Sequence, residues 1–210
     1  MAVLAMFPLG TVLFPYMPLR LRVFEERYLI MLSDLVKAND TRFGVVLIER
    51  GHEVGGGEQR FGIGTVAEML NVTADQGFVH LTAQGGPRLE VISWLDDAPH
   101  PRAEVRELPE LIWDDGLEPL RHEADRLVRR SLAMASEFTE NVWPAAVELS
   151  QDPIEAAWQL AGIAPLSAID QLRLLRSTTA NDLLVTLIKL INEASILYDA
   201  SWLDDQGPAD

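Results

Sequence analysis

Three prolines interrupt the apolar segment at the start of the chain, and they restrict its fold more than any other feature. Pro8, Pro15 and Pro18 all lie within the run from Phe7 to Leu32. Each proline lacks a backbone N–H and has a fixed φ, so the run cannot be one continuous central strand. It is predicted to form, in order, a short strand over residues 9–14, a turn over 15–18, a second extended segment over 19–24 and a helix from about Glu25.

Apolar residues at helical spacing follow the second extended segment and predict the helix that begins at about Glu25. A short apolar run comes after this helix. Asn39 is a suitable C-terminal cap for this helix. The run from Phe43 to Ile48 is continuously apolar and rich in β-branched residues, which predicts a strand covered on both faces. The residues predicted to form the apolar stripe of the helix are Tyr28, Leu29, Leu32, Leu35 and Val36.

Between Gly62 and Leu108 the hydrophobic pattern is that of β-strands. Alternating residues and turn-forming residues predict three strands, over 62–72, 78–83 and 89–95, with turns at 75–77 and 84–87. A fourth strand is predicted over 103–108, after a corner at Pro99 to Pro101. Several short strands and one inserted helix favour a compact, twisted, barrel-like sheet. The glycine-rich segment 50–60 is predicted to be a mobile connection.

Past Pro109 the pattern becomes helical. A stripe at 3.6-residue spacing runs from Leu117 to Phe138. Asp152, Ser167 and Thr179 each precede a helix-start pattern and are predicted N-caps. The last helix is predicted to end before an acidic, frayed tail from residue 201. The fold class is therefore predicted as α+β, with a β-rich domain over residues 1–109 and an α-helical domain over 110–210. The predicted stripe consists of Leu117, Leu120, Ala124, Leu127, Val128, Ser131, Ala135 and Phe138.

Charge and cysteine content narrow the possible functions. The net charge is −15, with 14 acidic and 10 basic residues in 1–109 and 18 acidic and 7 basic residues in 110–210. Such a balance repels phosphate backbones and argues against nucleic acid as a partner. Basic residues cluster only at 121–130, where acidic neighbours on the same helix predict intrahelical ion pairs. Zero cysteines exclude disulfides and thiol nucleophiles. With neither a signal peptide nor a membrane span recognisable, we expect a cytoplasmic location and no membrane partner.

Local motifs point to no catalytic residue, no metal site and no cofactor. The segment Gly62 to Ala67 matches a loosened dinucleotide fingerprint, but it lacks a preceding strand and a following helix. Glycines 55–57 lack the lysine of a phosphate-binding loop. The four histidines, His52, His80, His100 and His122, are scattered without metal-ligand spacing. A nucleophile elbow is also missing.

Several ordered motifs resemble those of the Lon substrate-binding domain family, the N-terminal domain of the ATP-dependent Lon protease. The resemblance implies a PUA-like β pseudobarrel followed by a helical bundle, and a role in recognising polypeptide substrates. It extends over about residues 7–194 but contains no Walker A segment, so we expect a free-standing, non-catalytic member. The matching motifs are Phe7-Pro8-Leu9, Phe14-Pro15 with Pro18-Leu19, Glu26-Arg27-Tyr28, Gly64-Thr65-Val66-Ala67-Glu68 and Gly86-Pro87-Arg88-Leu89-Glu90-Val91.

Three hypotheses about function follow. The first is a polypeptide-binding or protein-interaction module that uses Tyr16, Met17 and Leu19 on the proline bend, which comprises the turn over residues 15–18 and Leu19 after it. A plug for the open end of the barrel explains these three residues equally well. The second is RNA or nucleotide binding through the PUA-like fold, which the acidic charge opposes. The third is a hydrolase with a dispersed site, which has no local support. A homo-oligomer is left open.

Overall fold

A computed structural model describes the backbone of residues 1–50, 59–75, 77–140 and 142–205. Over these residues the chain has a mixed α+β architecture with six strands and five α-helices, and its contacts divide it into two compact units, Met1–Glu110 and Leu111–Asp210. The strands are β1 (Ala2–Leu9), β2 (Pro18–Val23), β3 (Arg42–Arg50), β4 (Gln59–Asp75), β5 (Phe78–Leu95) and β6 (Arg102–Glu107). The helices are α1 (Glu26–Ala38), α2 (Glu118–Ala135), α3 (Pro153–Ile163), α4 (Ala168–Leu175) and α5 (Ala180–Asp205).

The six strands form one sheet in the order β2-β5-β4-β3-β1-β6. Because β5 also pairs with β6, five of the strands close into a ring, and β2 lies outside it. Only the β1–β3 pair is parallel among these pairings; the others are antiparallel. Every strand of the ring contributes to one apolar cluster: Leu4, Met6, Val46, Val66, Leu89, Ala103 and Val105.

The predicted turn at residues 84–87 is wrong, because β5 continues through it as a single 18-residue strand. Its first half pairs with β2 and its second half with β6. The glycines serve close packing here: a Cβ on Gly85 would lie 2.0 Å from the carbonyl oxygen of Phe14. Turn composition and close backbone approach both select glycine, so the sequence alone could not separate them.

The first strand also lies earlier than predicted. It covers Ala2–Leu9, whereas residues 10–17 form a connection without strand pairing. Pairing of β1 with β6 ends at Ala5, and its second half pairs with β3 alone. Pro8 therefore has a strand neighbour on one side only, which is the setting in which a sheet tolerates proline.

The predictions for α1 and β3 are largely confirmed. Asn39 adopts φ 54° and caps α1, donating its N–H to the carbonyl oxygens of Leu35 and Val36. In β3, residues 43–47 are all buried, as expected for a strand covered on both faces. The predicted stripe of α1 is wrong at its end, because Val36 is exposed. Burial concentrates instead on Tyr28, Met31 and Leu32, one turn earlier.

Three predicted N-caps begin helices of the second unit. Asp152 accepts hydrogen bonds from two backbone N–H groups, Ser167 accepts one from Asp170, and Thr179 accepts one from Asp182. Within this unit α2 contacts α3 and α5, and α5 contacts α3 and α4. The prediction that Phe138 belongs to the α2 stripe is wrong, because α2 ends at Ala135 and Phe138 is exposed. The predicted frayed segment is helical as far as Asp205.

Candidate functional site

The proline bend is a tight turn, as predicted. Met17 donates its N–H to the carbonyl oxygen of Phe14 at 3.3 Å, across Pro15 and Tyr16. Tyr16 has φ 62°, a left-handed conformation that normally favours glycine at the third position of a proline-initiated turn. A non-glycine residue in this conformation is retained only where its surroundings hold it in place.

Contacts to β4 and β5 hold the bend in place. Tyr16 donates its N–H to the carbonyl oxygen of Gly85 at 2.7 Å, and Gly85 donates its N–H to that of Met17 at 2.9 Å. The hydroxyl of Thr65 donates to the carbonyl oxygen of Leu13 at 2.6 Å in the buried interior. Since these contacts come from two different strands, the bend belongs to the rigid part of the β-rich unit.

The three predicted contact residues differ in burial. Met17 is only 7% exposed, whereas Tyr16 and Leu19 are half-buried. The burial of Met17 favours the plug alternative for that side chain. A contact role for Tyr16, Met17 and Leu19 stays a prediction, and the half-buried pair is now its more accessible part.

Sequence reasoning missed a small apolar pocket beside β2. Its volume is about 80 Å³, and it lies among the end of β1, the second half of β2 and the start of α1. Phe7 and Tyr28 stack with ring centroids 4.0 Å apart, and Phe24, 58% exposed, lies at the rim directly after β2. The apolar pattern of the opening run was a signal for core packing, but nothing in it indicated a surface pocket. The lining residues are Phe7, Leu9, Leu21, Arg22, Val23, Phe24, Glu25 and Tyr28.

The charged groups around this pocket are arranged unequally. Glu25 forms an ion pair with Arg27 at 3.1 Å, and the Arg27 guanidinium also lies 4.5 Å from the centroid of the Tyr28 ring. Arg22 lies 3.8 Å above the ring of Phe78, and Arg20 is exposed. Among the described side chains, Arg20 and Arg22 have no carboxylate partner. The negative charge of Glu25 is thus balanced by Arg27, whereas no carboxylate among the described side chains balances the positive charges of Arg20 and Arg22.

Arg88 is the one strongly buried arginine among the described residues. It donates from Nη2 to the carbonyl oxygen of Pro109 at 2.8 Å, and its own carbonyl oxygen accepts from Leu108. Burial lowers the pKa of the Arg88 guanidinium from its ordinary value. Arg88 therefore links β5 to Pro109 near the end of the β-rich unit. An arginine is not deprotonated in proteins, so Arg88 does not exchange protons with a substrate.

The histidines do not converge. His80 is exposed on β5 against Phe78, His100 is buried with Nδ1 3.2 Å from the carbonyl oxygen of Pro101, and His122 lies 3.1 Å from Glu118. Among the described side chains, no three His, Asp or Glu residues are grouped as metal ligands would be. His52 and the loop glycines 55–57 lie outside the described residues.

The glycines of the dinucleotide-like motif lie inside β4, so that motif has no helix after it. A Cβ on Gly64 would lie 2.0 Å from the carbonyl oxygen of Val45 on the neighbouring strand. Close approach of two strands therefore explains the glycine.

Two of the four arginines in the basic cluster of α2 form the predicted intrahelical ion pairs. Arg121 pairs with Glu118, and Arg129 pairs with Asp125 at 2.9 Å. The hydrogen bond from Arg121 lowers the pKa of the Glu118 carboxyl, and the same bond raises the pKa of Arg121. Arg129 also donates to the carbonyl oxygens of Ala145 and Val147. These pairs account for Arg121 and Arg129 without an anion ligand.

Comparison with known proteins gives a consistent result. The sequence model of the family described as the ATP-dependent protease La (LON) substrate-binding domain matches residues 3–193. The structure is similar to that of a Lon N-terminal domain protein from Xanthomonas campestris, with a TM-score of 0.64 and 24% identity, covering 90% of this chain and 98% of that one. It is also similar to the N-terminal domain of Mycobacterium avium complex Lon protease, with a TM-score of 0.63 and 18% identity, covering 91% and 98%. A search of curated proteins found no match. Over the described residues, every helix is too short or too polar to cross a bilayer.

Proposed function

Because this chain belongs to the family of ATP-dependent protease La (LON) substrate-binding domains, we propose that it is a non-catalytic module that binds polypeptide segments. The observation that carries the proposal is the proline bend, which backbone hydrogen bonds with Gly85 hold in place while Tyr16 and Leu19 remain partly accessible. A rigid, partly apolar surface binds a flexible segment with less loss of conformational entropy on the protein side. The scattered histidines and the structural role of Arg88 support a role without catalysis.

The finer fold assignment belongs to the same proposal. Closure of five strands into a ring supports a PUA-like pseudobarrel, and the contacts among α2, α3, α4 and α5 support a helical bundle. A PUA-like fold alone does not favour RNA as the ligand, because the net charge of −15 opposes binding to a phosphate backbone.

Peptide binding tests the proposal directly. The full chain is titrated against a library of fluorescently labelled peptides that vary in apolar and charged content, and anisotropy gives the dissociation constants. We expect binding of apolar peptides, and a loss of roughly three- to tenfold in affinity for Tyr16→Gly, because an aromatic contact disappears. Glycine accepts the positive φ at this position, so the variant keeps its backbone unstrained.

The matched control is Leu70→Ser, which removes an exposed apolar side chain from β4. It should leave the affinity unchanged. Met17→Asp is not suitable, because a charge at a buried position would unfold the unit. Failure of every peptide to bind would contradict the proposed function.

The non-catalytic part has its own test. Peptides that bind are incubated with the protein, with and without ATP and Mg²⁺, and their masses are measured. We expect every peptide to be recovered intact. Cleavage that persists in independently purified samples would show that the chain is an enzyme.

A further inference from the structure

The strand β2 has a free edge. In the described sheet it pairs with β5 alone, in antiparallel register from Pro18 opposite Gln84 to Val23 opposite Val79. The other strands of the sheet have two neighbours each within the closed ring. An unpaired edge presents backbone N–H and C=O groups to which another chain can bind.

The register shows which backbone groups are available. In an antiparallel pair, alternate residues direct both their N–H and C=O groups at the neighbouring strand. The hydrogen bond from Gly85 to Met17 sets this phase, so Leu19, Leu21 and Val23 bind β5. The backbone groups of Arg20 and Arg22 therefore point to the free edge. The backbone nitrogen of Pro18 also points to the free edge, so its missing N–H removes no hydrogen bond to β5.

The pocket described above adjoins this edge. Leu21, Arg22 and Val23 belong both to the pocket lining and to β2, and Phe24 lines the pocket directly after the strand. In an added strand, successive side chains alternate between the two faces of the sheet. One set of its side chains would lie on the face of Leu21 and Val23, and the other set on the face of Arg20 and Arg22. Both faces adjoin the pocket, because Val23 and Arg22 line it.

Charge indicates the composition of the added segment. Arg20 and Arg22 are exposed on the same face of β2, and their neighbours across the strand pair, Thr82 and His80, carry no negative charge. These arginines favour acidic side chains opposite them. The same positive charges disfavour a basic segment, including the β2 edge of a second copy of this chain.

We propose that an extended polypeptide segment with alternating apolar and acidic residues adds as a further strand to the free edge of β2, with an apolar side chain in the adjacent pocket. This inference rests on the proposed function and specifies its binding mode. Backbone hydrogen bonds supply sequence-independent affinity, while the pocket and the two arginines supply selectivity.

The experiment uses the full chain and three labelled peptides, whose dissociation constants are measured by fluorescence anisotropy. The parent peptide alternates valine and glutamate. Two isomers carry N-methyl groups, one on every valine nitrogen and the other on every glutamate nitrogen. Because alternate N–H groups of a strand point to opposite edges, strand addition predicts that one isomer loses at least about tenfold in affinity while the other binds like the parent.

Protein variants test the two sources of selectivity. Arg20→Glu should weaken binding of the parent peptide by roughly three- to tenfold and improve binding of a valine-lysine peptide, because the sign of the charge is reversed. Phe24→Ser should weaken the binding of both peptides, because it removes an apolar side chain from the pocket. Arg130→Glu on α2 changes the net charge of the chain equally and should change neither affinity.

Each outcome has a definite meaning. If both N-methylated isomers bind like the parent, strand addition is wrong although the proposed function stands. If no peptide of any composition binds, the proposed function itself fails. If light scattering shows a dimer that Arg20→Glu dissociates, the edge pairs with a second copy, and the proposal of a polypeptide site is overturned.

Discussion

The two compact units achieve their structures by different means. In Met1–Glu110, pairing joins residues far apart in the chain, such as Leu4 with Ala103 and Met6 with Gly44. In Leu111–Asp210, helices begin at caps that bind backbone groups two or three residues away. Local patterns therefore predict the helical unit well, whereas the details of the β-rich unit depend on which strands meet.

The ion pairs between strands and those on α2 follow the same division. In the β-rich unit, Arg106 pairs with Glu90 and Arg42 with Glu107, each across separate segments of the chain. On α2 of the helical unit, the pairs join residues three or four positions apart. A change in one residue should consequently have distant effects in the first unit and local effects in the second.

The strongest test of this comparison is Gly64→Ala in the β-rich unit. The new Cβ would lie 2.0 Å from the carbonyl oxygen of Val45, so two backbone segments would have to separate. We expect the free energy of unfolding to fall by about 4 kcal/mol, measured by urea denaturation.

The control for this substitution lies two residues away. Gly62→Ala adds the same methyl group in the same strand, where no atom lies within 4 Å of the new Cβ. It should change stability by less than about 0.5 kcal/mol. Equal effects of the two substitutions would show that strand propensity, and not close approach, selects glycine in β4.

An intermediate effect is expected for Asp152→Ala in the helical unit. Asp152 accepts hydrogen bonds from the N–H groups of Ile154 at 2.9 Å and Glu155 at 3.1 Å, and both bonds are lost with alanine. The free energy of unfolding should fall by about 1 kcal/mol. Asp152→Asn keeps an acceptor and should cost only a few tenths of that amount; an equal loss for both variants would mean that the cap does not act through its hydrogen bonds.

The smallest effect is expected for Glu118→Gln on α2. Hydrogen bonding from Arg121 lowers the pKa of Glu118 in the folded chain below its unfolded value. Its contribution to stability is therefore present above the unfolded pKa and is lost as the pH falls through the folded pKa. Thermal unfolding from pH 7 to pH 3 should show that the variant lowers Tm at neutral pH by less than about 2 °C, and that the difference disappears in acid.

Glu123→Gln provides the comparison for this pH profile. Glu123 lies on the same helix, is exposed and has no ion-pair partner in the described part of the chain. Its substitution should leave the pH dependence of Tm unchanged. If Glu118→Gln behaves in the same way, the pair with Arg121 makes no contribution to stability.

The predictions that succeeded share a local cause. Asn39, Asp152 and Ser167 were identified as caps because the groups they bind lie within four residues along the chain. The alternation that predicted a strand over residues 78–83 is local in the same sense, and these residues belong to β5. The predicted strand over 9–14 and the predicted turn at 84–87 were wrong because the conformations of these segments depend on contacts with each other.

The candidate site was predicted only in part. The prolines and the apolar run indicated a bend at residues 15–18, and the structure confirms a turn there. The pocket beside β2 requires side chains of β1, β2 and α1 at one place, and no spacing in the sequence specifies that meeting. The free edge of β2 likewise follows from the strand order and not from the residues of β2.

The sequence by itself determined the change from strands to helices, the helix caps, the interruption of the opening run by proline and the family to which the chain belongs. These properties depend on short-range sterics and hydrogen bonds, or on residues that can be matched one by one. The tertiary structure alone decided that Gly85 forms hydrogen bonds with the proline bend, that Met17 is buried and that β2 has a free edge in the described sheet. Such properties arise because long-range pairing chooses which backbone groups are satisfied and which side chains are covered, and composition along the chain does not record that choice.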